Sequence, residues 1–174
     1  MASRREFFKS FTKPLTGQNQ EEEIPQVVRP PYGSDESTFQ SECPSCENKA
    51  CATFCDEKII VILDDGTPTL DFSKNGCTFC DECANVCETN VLSLENSNTS
   101  EKLNAMFRIN YEGCVAHQGV ICNSCKEPCI DDAILFNGMF NPVIDESRCT
   151  GCGFCIARCP TQVINFRVLE ISNP

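Results

Sequence analysis

Tryptophan is absent from this 174-residue chain, and histidine occurs once, at His117. No Gly-rich phosphate loop, Ser/His/Asp set or flavin fingerprint can be found, which argues against an enzyme built on those chemistries. No apolar run approaches the roughly 20 residues of a membrane-spanning helix, and no apolar signal core is present. Basic residues are also scarce: 14 Lys and Arg stand against 25 Asp and Glu, giving a formal charge of −11. An acidic surface disfavours nucleic acid and anionic membrane and suits a partner with a basic face. The apolar fraction of 41% includes the cysteines, so the ordinary core material is thin. A chain of this kind needs staples.

Cysteine is what the chain has in excess. There are 16, none before Cys43 and none after Cys159. Disulfides would require an oxidising compartment and a secretory signal, so reduced thiols in the cytoplasm are expected. Cys43, Cys77, Cys114 and Cys149 open four repeats, 34 to 37 residues apart. The fourth repeat, Cys149-Thr-Gly-Cys152-Gly-Phe-Cys155-Ile-Ala-Arg-Cys159-Pro160, has the C-x2-C-x2-C-x3-C-P spacing of bacterial ferredoxins. Three closely spaced thiolates can reach three irons of one cube, and the fourth reaches the cluster of a partner motif. The second repeat keeps the spacing with Cys77, Cys80, Cys83 and Cys87, then Glu88 in place of proline. The first, Cys43, Cys46, Cys51 and Cys55, has two extra residues before its third cysteine. The third loops out its first gap and continues as Cys122, Cys125 and Cys129.

Every cysteine falls into a group of four. Structural zinc sites draw two Cys/His pairs together across a longer gap, which these triple runs do not resemble. The expectation is therefore four [4Fe–4S] clusters on sixteen cysteine ligands. An oxidised core with four thiolates carries about −2, so four would bring the charge to about −19. If neighbouring motifs pair, Cys43, Cys46, Cys51 and Cys87 hold one cluster. Cys77, Cys80, Cys83 and Cys55 hold the second. Cys114, Cys122, Cys125 and Cys159 hold the third, and Cys149, Cys152, Cys155 and Cys129 the fourth. A nested arrangement, first motif with fourth and second with third, is the alternative; adjacency in sequence favours neighbours.

The fold expected is α+β, with tandem bacterial-ferredoxin-like modules of short strands and helical turns. Residues 1–42 form an N-terminal arm. Residues 43–94 carry motifs 1 and 2, the polar stretch 95–104 is a linker, and 105–174 carry motifs 3 and 4. Lys58–Leu63 and Thr67–Phe72 read as a hairpin about Asp64-Asp65-Gly66. Ala133–Ile144 reads as two short strands about a glycine, and Gln162–Leu169 as one more strand. Ala84-Asn-Val and Ile156-Ala-Arg suit single helical turns. In the arm, Ser3-Arg4-Arg5 is reminiscent of a twin-arginine export signal. The residues after Phe11 are polar, however, and Ser3 with Glu6 has capping-box spacing, so a short helix is expected. Glu21–Glu23 reads as a solvated arm. Arg29-Pro30-Pro31-Tyr32 reads either as an extended strap over the first cluster or as a stiff linker. His117, inside the looped third motif, more plausibly supports a site or lies at the surface than catalyses.

The chain resembles the NapF family of ferredoxin-type proteins, accessory to the periplasmic nitrate reductase. The resemblance rests on Ser3-Arg-Arg, Arg29-Pro-Pro-Tyr-Gly33, Cys77-Thr-Phe-Cys80, Gly119-Val-Ile-Cys122-Asn-Ser-Cys125 and Cys149-Thr-Gly-Cys152-Gly. The looped third motif is its most specific element. The expanded first motif departs from the pattern, and proline follows the fourth cysteine only at Pro160, with Asp56, Glu88 and Ile130 elsewhere. The resemblance implies a cytoplasmic, non-enzymatic protein that contacts the catalytic subunit NapA before export and helps assemble or reduce its iron–sulfur cluster. The alternative is a soluble polyferredoxin-like electron carrier, or an electron-transfer subunit, serving a redox partner protein. Fusing residues 1–20 to a reporter should leave it in the cytoplasm. Cell fractionation checks this, and a periplasmic reporter would reverse the reading of the arm.

Overall fold

The computed structural model describes residues 27–96 and 102–169. The helix expected at Ser3–Phe11, the Glu21–Glu23 run and residues 97–101 of the expected linker lie outside them. The described elements are short. Helix α1 spans Glu36–Glu42 and α2 spans Ala50–Thr53. Strands β1 (Ile60–Ile62) and β2 (Pro68–Leu70) follow, then helix α3 (Glu82–Asn85). Next come β3 (Ala105–Ile109), β4 (Ile134–Asn137), β5 (Phe140–Ile144), helix α4 (Phe154–Arg158) and β6 (Ile164–Val168). This is a mixed helix and strand architecture, and no helix among the described residues is long and apolar enough to cross a membrane.

The hairpins form where the turn chemistry places them. β1 and β2 pair antiparallel, Ile60 opposite Leu70. Between them Gly66 takes φ +82°, and Asp65 Oδ1 accepts from the Thr67 amide at 2.8 Å and its hydroxyl at 2.7 Å. β4 and β5 pair antiparallel about Gly138, φ +73°. β6 finds its partner far away in sequence: it pairs with β3 from Ala105↔Val168 to Ile109↔Ile164.

The same order of parts occurs in both halves. In the second half, an outer pair (β3 with β6) brackets an inner hairpin (β4 with β5). In the first half, an isolated antiparallel bridge between Gly33 and Leu92 takes the outer place and β1 with β2 the inner one. The segment Val28–Gly33 thus occupies the position of β3. Val28 is fully buried, and its carbonyl accepts from the Leu70 amide at 2.8 Å and the Thr69 hydroxyl at 3.1 Å. The Ser34 amide donates to the Val91 carbonyl, and the Ser93 amide to that of Tyr32. The strap is therefore part of the packed body. Proline is tolerated here because the segment is an edge, where its missing N–H breaks no ladder.

Helix α1 then locks the strap. Asp35 caps it, accepting from the Thr38 amide at 3.1 Å, and the helix buries Phe39. Arg29 lies 4.9 Å over the Phe39 ring and pairs with Glu36. It also donates to Thr67 Oγ1 at 2.9 Å and the Pro68 carbonyl at 2.7 Å, so one guanidinium ties strap, helix and hairpin together. Arg29 beside Glu36 holds that carboxyl below its usual range. Arg29→Ala leaves buried Thr67 and the Pro68 carbonyl without this donor. It should cost about 2–3 kcal/mol, the Glu36 side chain being half exposed and partly screened. A lower midpoint of anaerobic urea unfolding by circular dichroism checks this.

Candidate metal centre

The folding device that builds the sites repeats four times. Lys58, Asn90, Asp132 and Gln162 each stand three residues after the last cysteine of a motif. All four take positive φ, 53°, 54°, 49° and 52°. Each donates its amide N–H back to the carbonyl of that cysteine. The turn throws the chain outward into the next extended segment and leaves the cysteine facing inward. A second device acts in three motifs. Lys49, Asp81 and Gly153, each two residues before a third cysteine, are left-handed caps of α2, α3 and α4 (φ 45°, 64° and 88°). The short helices carry Cys51, Cys83 and Cys155. The third motif makes its approach to Cys125 by turns instead.

These devices bring the sixteen cysteines into four sets around four cavities. Cys43, Cys46, Cys51 and Cys87 line the first. Cys55, Cys77, Cys80 and Cys83 line the second. Cys114, Cys122, Cys125 and Cys159 line the third, and Cys129, Cys149, Cys152 and Cys155 the fourth. Each set joins three cysteines of one motif to the last of its neighbour; no set combines motifs in the nested order. The empty volumes are about 400, 390, 330 and 320 Å3 in that order. Among the described residues, no three or more His, Cys, Asp or Glu side chains converge closely enough to hold a single metal ion. The sulfurs surround a space larger than one ion, which suits a cubane and not zinc.

The thiols also fit such an occupant chemically. Burial, then the charge of neighbouring sulfurs, pushes Cys77 and Cys83 up to about 12 and Cys43 up to about 11. Burial raises Cys125 to about 11 and pushes Cys155 higher still. Thiolates crowded in this way need a cationic centre, and iron supplies it. The last cysteine of a motif receives amide hydrogen bonds as well. The Leu92 amide donates to Cys87 Sγ at 3.4 Å and the Ala133 amide to Cys129 Sγ at 3.3 Å. At Cys159, burial acts upward but hydrogen bonds from the Val163 amide and from Thr161 outweigh it and lower the thiol. Amide hydrogen bonds to sulfur are a recognised means of tuning cluster potential.

Several lining residues carry no signal in the cysteine spacing. Pro31 and Tyr32 line the second cavity, so the strap lies against that site and not against the first. Tyr32, itself left-handed with φ 65°, donates its hydroxyl to the Phe79 carbonyl at 3.1 Å. Lys49 lines the first cavity and donates to the carbonyls of Cys43 and Gly66, at 2.9 Å to the latter. His117 Nε2 meets the Pro142 carbonyl at 3.0 Å, and its ring lies 4.4 Å from that of Tyr111. It anchors the looped part of the third motif.

Comparison with known proteins agrees with this donor set. A 4Fe-4S binding domain model matches residues 142–165. The chain is 33% identical over 147 residues to the ferredoxin-type protein NapF of Escherichia coli K12, covering 82% of this chain and 86% of that relative. It is 27% identical over 166 residues to the ferredoxin-type protein NapG of the same strain, 83% and 71% being covered. It is 28% identical over 161 residues to the methylamine utilization ferredoxin-type protein MauM of Methylophilus methylotrophus, covering 82% and 70%. The donor set and these relatives together make this an iron–sulfur protein. Lys49 then predicts an asymmetry among its sites. With a cluster in the first cavity its ammonium would stabilise the more negative, reduced state, so Lys49→Gln should lower one potential by on the order of tens of millivolts. An EPR-monitored redox titration reads that shift.

Proposed function

The chain belongs to the NapF family of ferredoxin-type proteins, and from that premise we propose that it holds four [4Fe–4S] clusters and assists maturation of the catalytic subunit of the periplasmic nitrate reductase in the cytoplasm. The observation that carries the cluster reading is the partition of all sixteen cysteines into four cavities of four. In this reading residues 27–96 and 102–169 are two ferredoxin-like modules. The first includes the strap, which supplies its outer edge through Gly33 and Leu92. A bound [4Fe–4S] cluster would supply one-electron chemistry. The chain's own groups hold and orient that chemistry. Cysteine thiolates fix the site, amide hydrogen bonds at Cys87, Cys129 and Cys159 stabilise charge on sulfur, and Tyr32 closes one side of the second cavity.

Assistance to another subunit's iron–sulfur cluster requires electrons, a docking contact or both. The acidic surface suits a partner with a basic docking face. A second reading, an electron carrier feeding a reductase, has one observation in its favour: Cys80 is exposed, so the second cavity opens towards a passing redox partner. Neither reading requires a catalytic residue of this chain.

Anaerobic co-purification from native cytosol separates the two. Acid-labile sulfide and iron should reach four of each for every occupied cavity, with visible absorbance, and the catalytic subunit should be retained with the protein. Folded but colourless protein would remove the cluster reading. Val28, Arg29, Tyr32 and Phe39 belong to the packed body, so the informative truncation removes residues 1–26 only. It should weaken capture of the catalytic subunit at unchanged iron content. Undiminished capture would favour the carrier.

A further inference from the structure

The halves of the molecule meet closely at two cysteines. The Cys77 amide donates to the Cys152 carbonyl at 2.7 Å. Glycine makes that approach feasible. A Cβ on Gly76 would lie 2.5 Å from both the Cys152 carbonyl oxygen and the Phe154 amide nitrogen. On Gly153, at φ +88°, it would lie 2.1 Å from the Phe72 ring. Phe72 crosses from the first half and packs edge-on against Phe107 and Phe166 of the second, with ring centroids at 5.5 and 5.6 Å. The contact is therefore buried, aromatic-walled and backbone to backbone. Cys77 lines the second cavity and Cys152 the fourth.

Within each half the cavities also adjoin. Four positions separate Cys51 of the first cavity from Cys55 of the second and Cys83 of the second from Cys87 of the first; Cys125 and Cys129, and Cys155 and Cys159, link the third and fourth in the same way. Resting on the reading that the cavities hold clusters, we propose that the four sites form one electron path whose spatial order is first, second, fourth, third. The Cys77–Cys152 hydrogen bond is its junction between halves. A transfer there moves one electron. A cluster held by Cys55, Cys77, Cys80 and Cys83 would be oxidised by one equivalent, and one held by Cys129, Cys149, Cys152 and Cys155 would be reduced by one. No covalent bond changes, and no proton moves. Gly76 and Gly153 are positioning residues, since they act only by letting the two ligand-bearing backbones touch.

Magnetic coupling between reduced, paramagnetic clusters tests the order without an activity assay. Cys46→Ala with Cys122→Ala leaves the four sulfurs of the second and fourth cavities intact. Cys46→Ala with Cys149→Ala leaves those of the second and third. After anaerobic reconstitution and full reduction, the first double variant should give an EPR spectrum split by spin–spin interaction. The second should show loss of that splitting. Unsplit spectra in the first, or equal splitting in both, overturn the path. Gly76→Ala, with every cysteine kept, should hold full iron and sulfide yet diminish the splitting seen in the unmodified chain; undiminished splitting at full iron content also overturns it. Iron and sulfide are measured on each sample. Missing clusters in the unmodified chain speak against the cavities as cluster sites, whereas full clusters with the wrong coupling speak against the path alone.

Discussion

Buried thiolates cannot stand beside one another without a positive centre among them, and much of the rest of this molecule follows from that constraint. Desolvation and mutual repulsion push the thiols well above their ordinary range at Cys43, Cys77, Cys83, Cys125 and Cys155. Iron reverses the sign of the interaction, so binding energy becomes folding energy. That explains how strands of three to five residues and helices of four or five residues persist. Elements so short have little independent stability in water. The ordinary core is correspondingly modest. Phe39, Ile59, Val91 and Leu92 pack in the first half and Phe107 and Ile134 in the second, and buried cysteines take the remaining places.

Repetition of backbone conformation matters as much as repetition of cysteine. Non-glycine residues cost energy at positive φ, yet Lys58, Asn90, Asp132 and Gln162 all adopt it at one place in the repeat. Four different side chains at one strained position mean that the surroundings impose the conformation. The inward-facing cysteine on one side of the turn and the buried extended segment on the other fix it together. Ile60, Leu92, Ile134 and Ile164, each five residues after a last cysteine, are all buried.

The parts legible in sequence were those with local causes. The cysteine grouping, the Asp64-Asp65-Gly66 hairpin and the Gly138 turn depend on neighbours along the chain. The pairing of β3 with β6 depends on residues more than fifty positions apart, and Ala105-Met-Phe-Arg-Ile109 alone does not announce a strand. The strap was harder still. Consecutive prolines suggest a linker, and only the bridge from Gly33 to Leu92 and the bonds to Val28 reveal an edge. Helix α1 is too short for periodicity to mark, although Asp35 has the chemistry of its cap. Left-handed residues at Lys49, Asp81 and Tyr32 have no sequence signature, because side-chain identity there is not the cause of the conformation.

Lys49 also gives the first motif a positive charge that the second motif, Cys77–Cys87, lacks. Arg29 and Lys49 are both held against backbone carbonyls in the first half, but their electrostatic roles differ. Arg29 has a carboxylate partner in Glu36, so most of its field is spent locally and its contribution is to hold strap, helix and hairpin in register. The hydrogen-bond partners of Lys49 are carbonyls, which orient the ammonium without cancelling its charge. Lys49 lies within the expanded stretch between Cys46 and Cys51, and its side chain lines the first cavity. Asp81 and Gly153 stand at the corresponding left-handed position of the compact second and fourth motifs, so the difference lies in the side chain placed there. The second cavity is lined instead by Glu57, Asp81 and Glu82, with no lysine or arginine among its lining residues. The charged residues lining the first cavity are one cation and one carboxylate, Lys49 and Glu88, and those lining the second are carboxylates alone, so two adjoining sites of identical ligand chemistry sit in different local fields and differ in how readily each takes up negative charge.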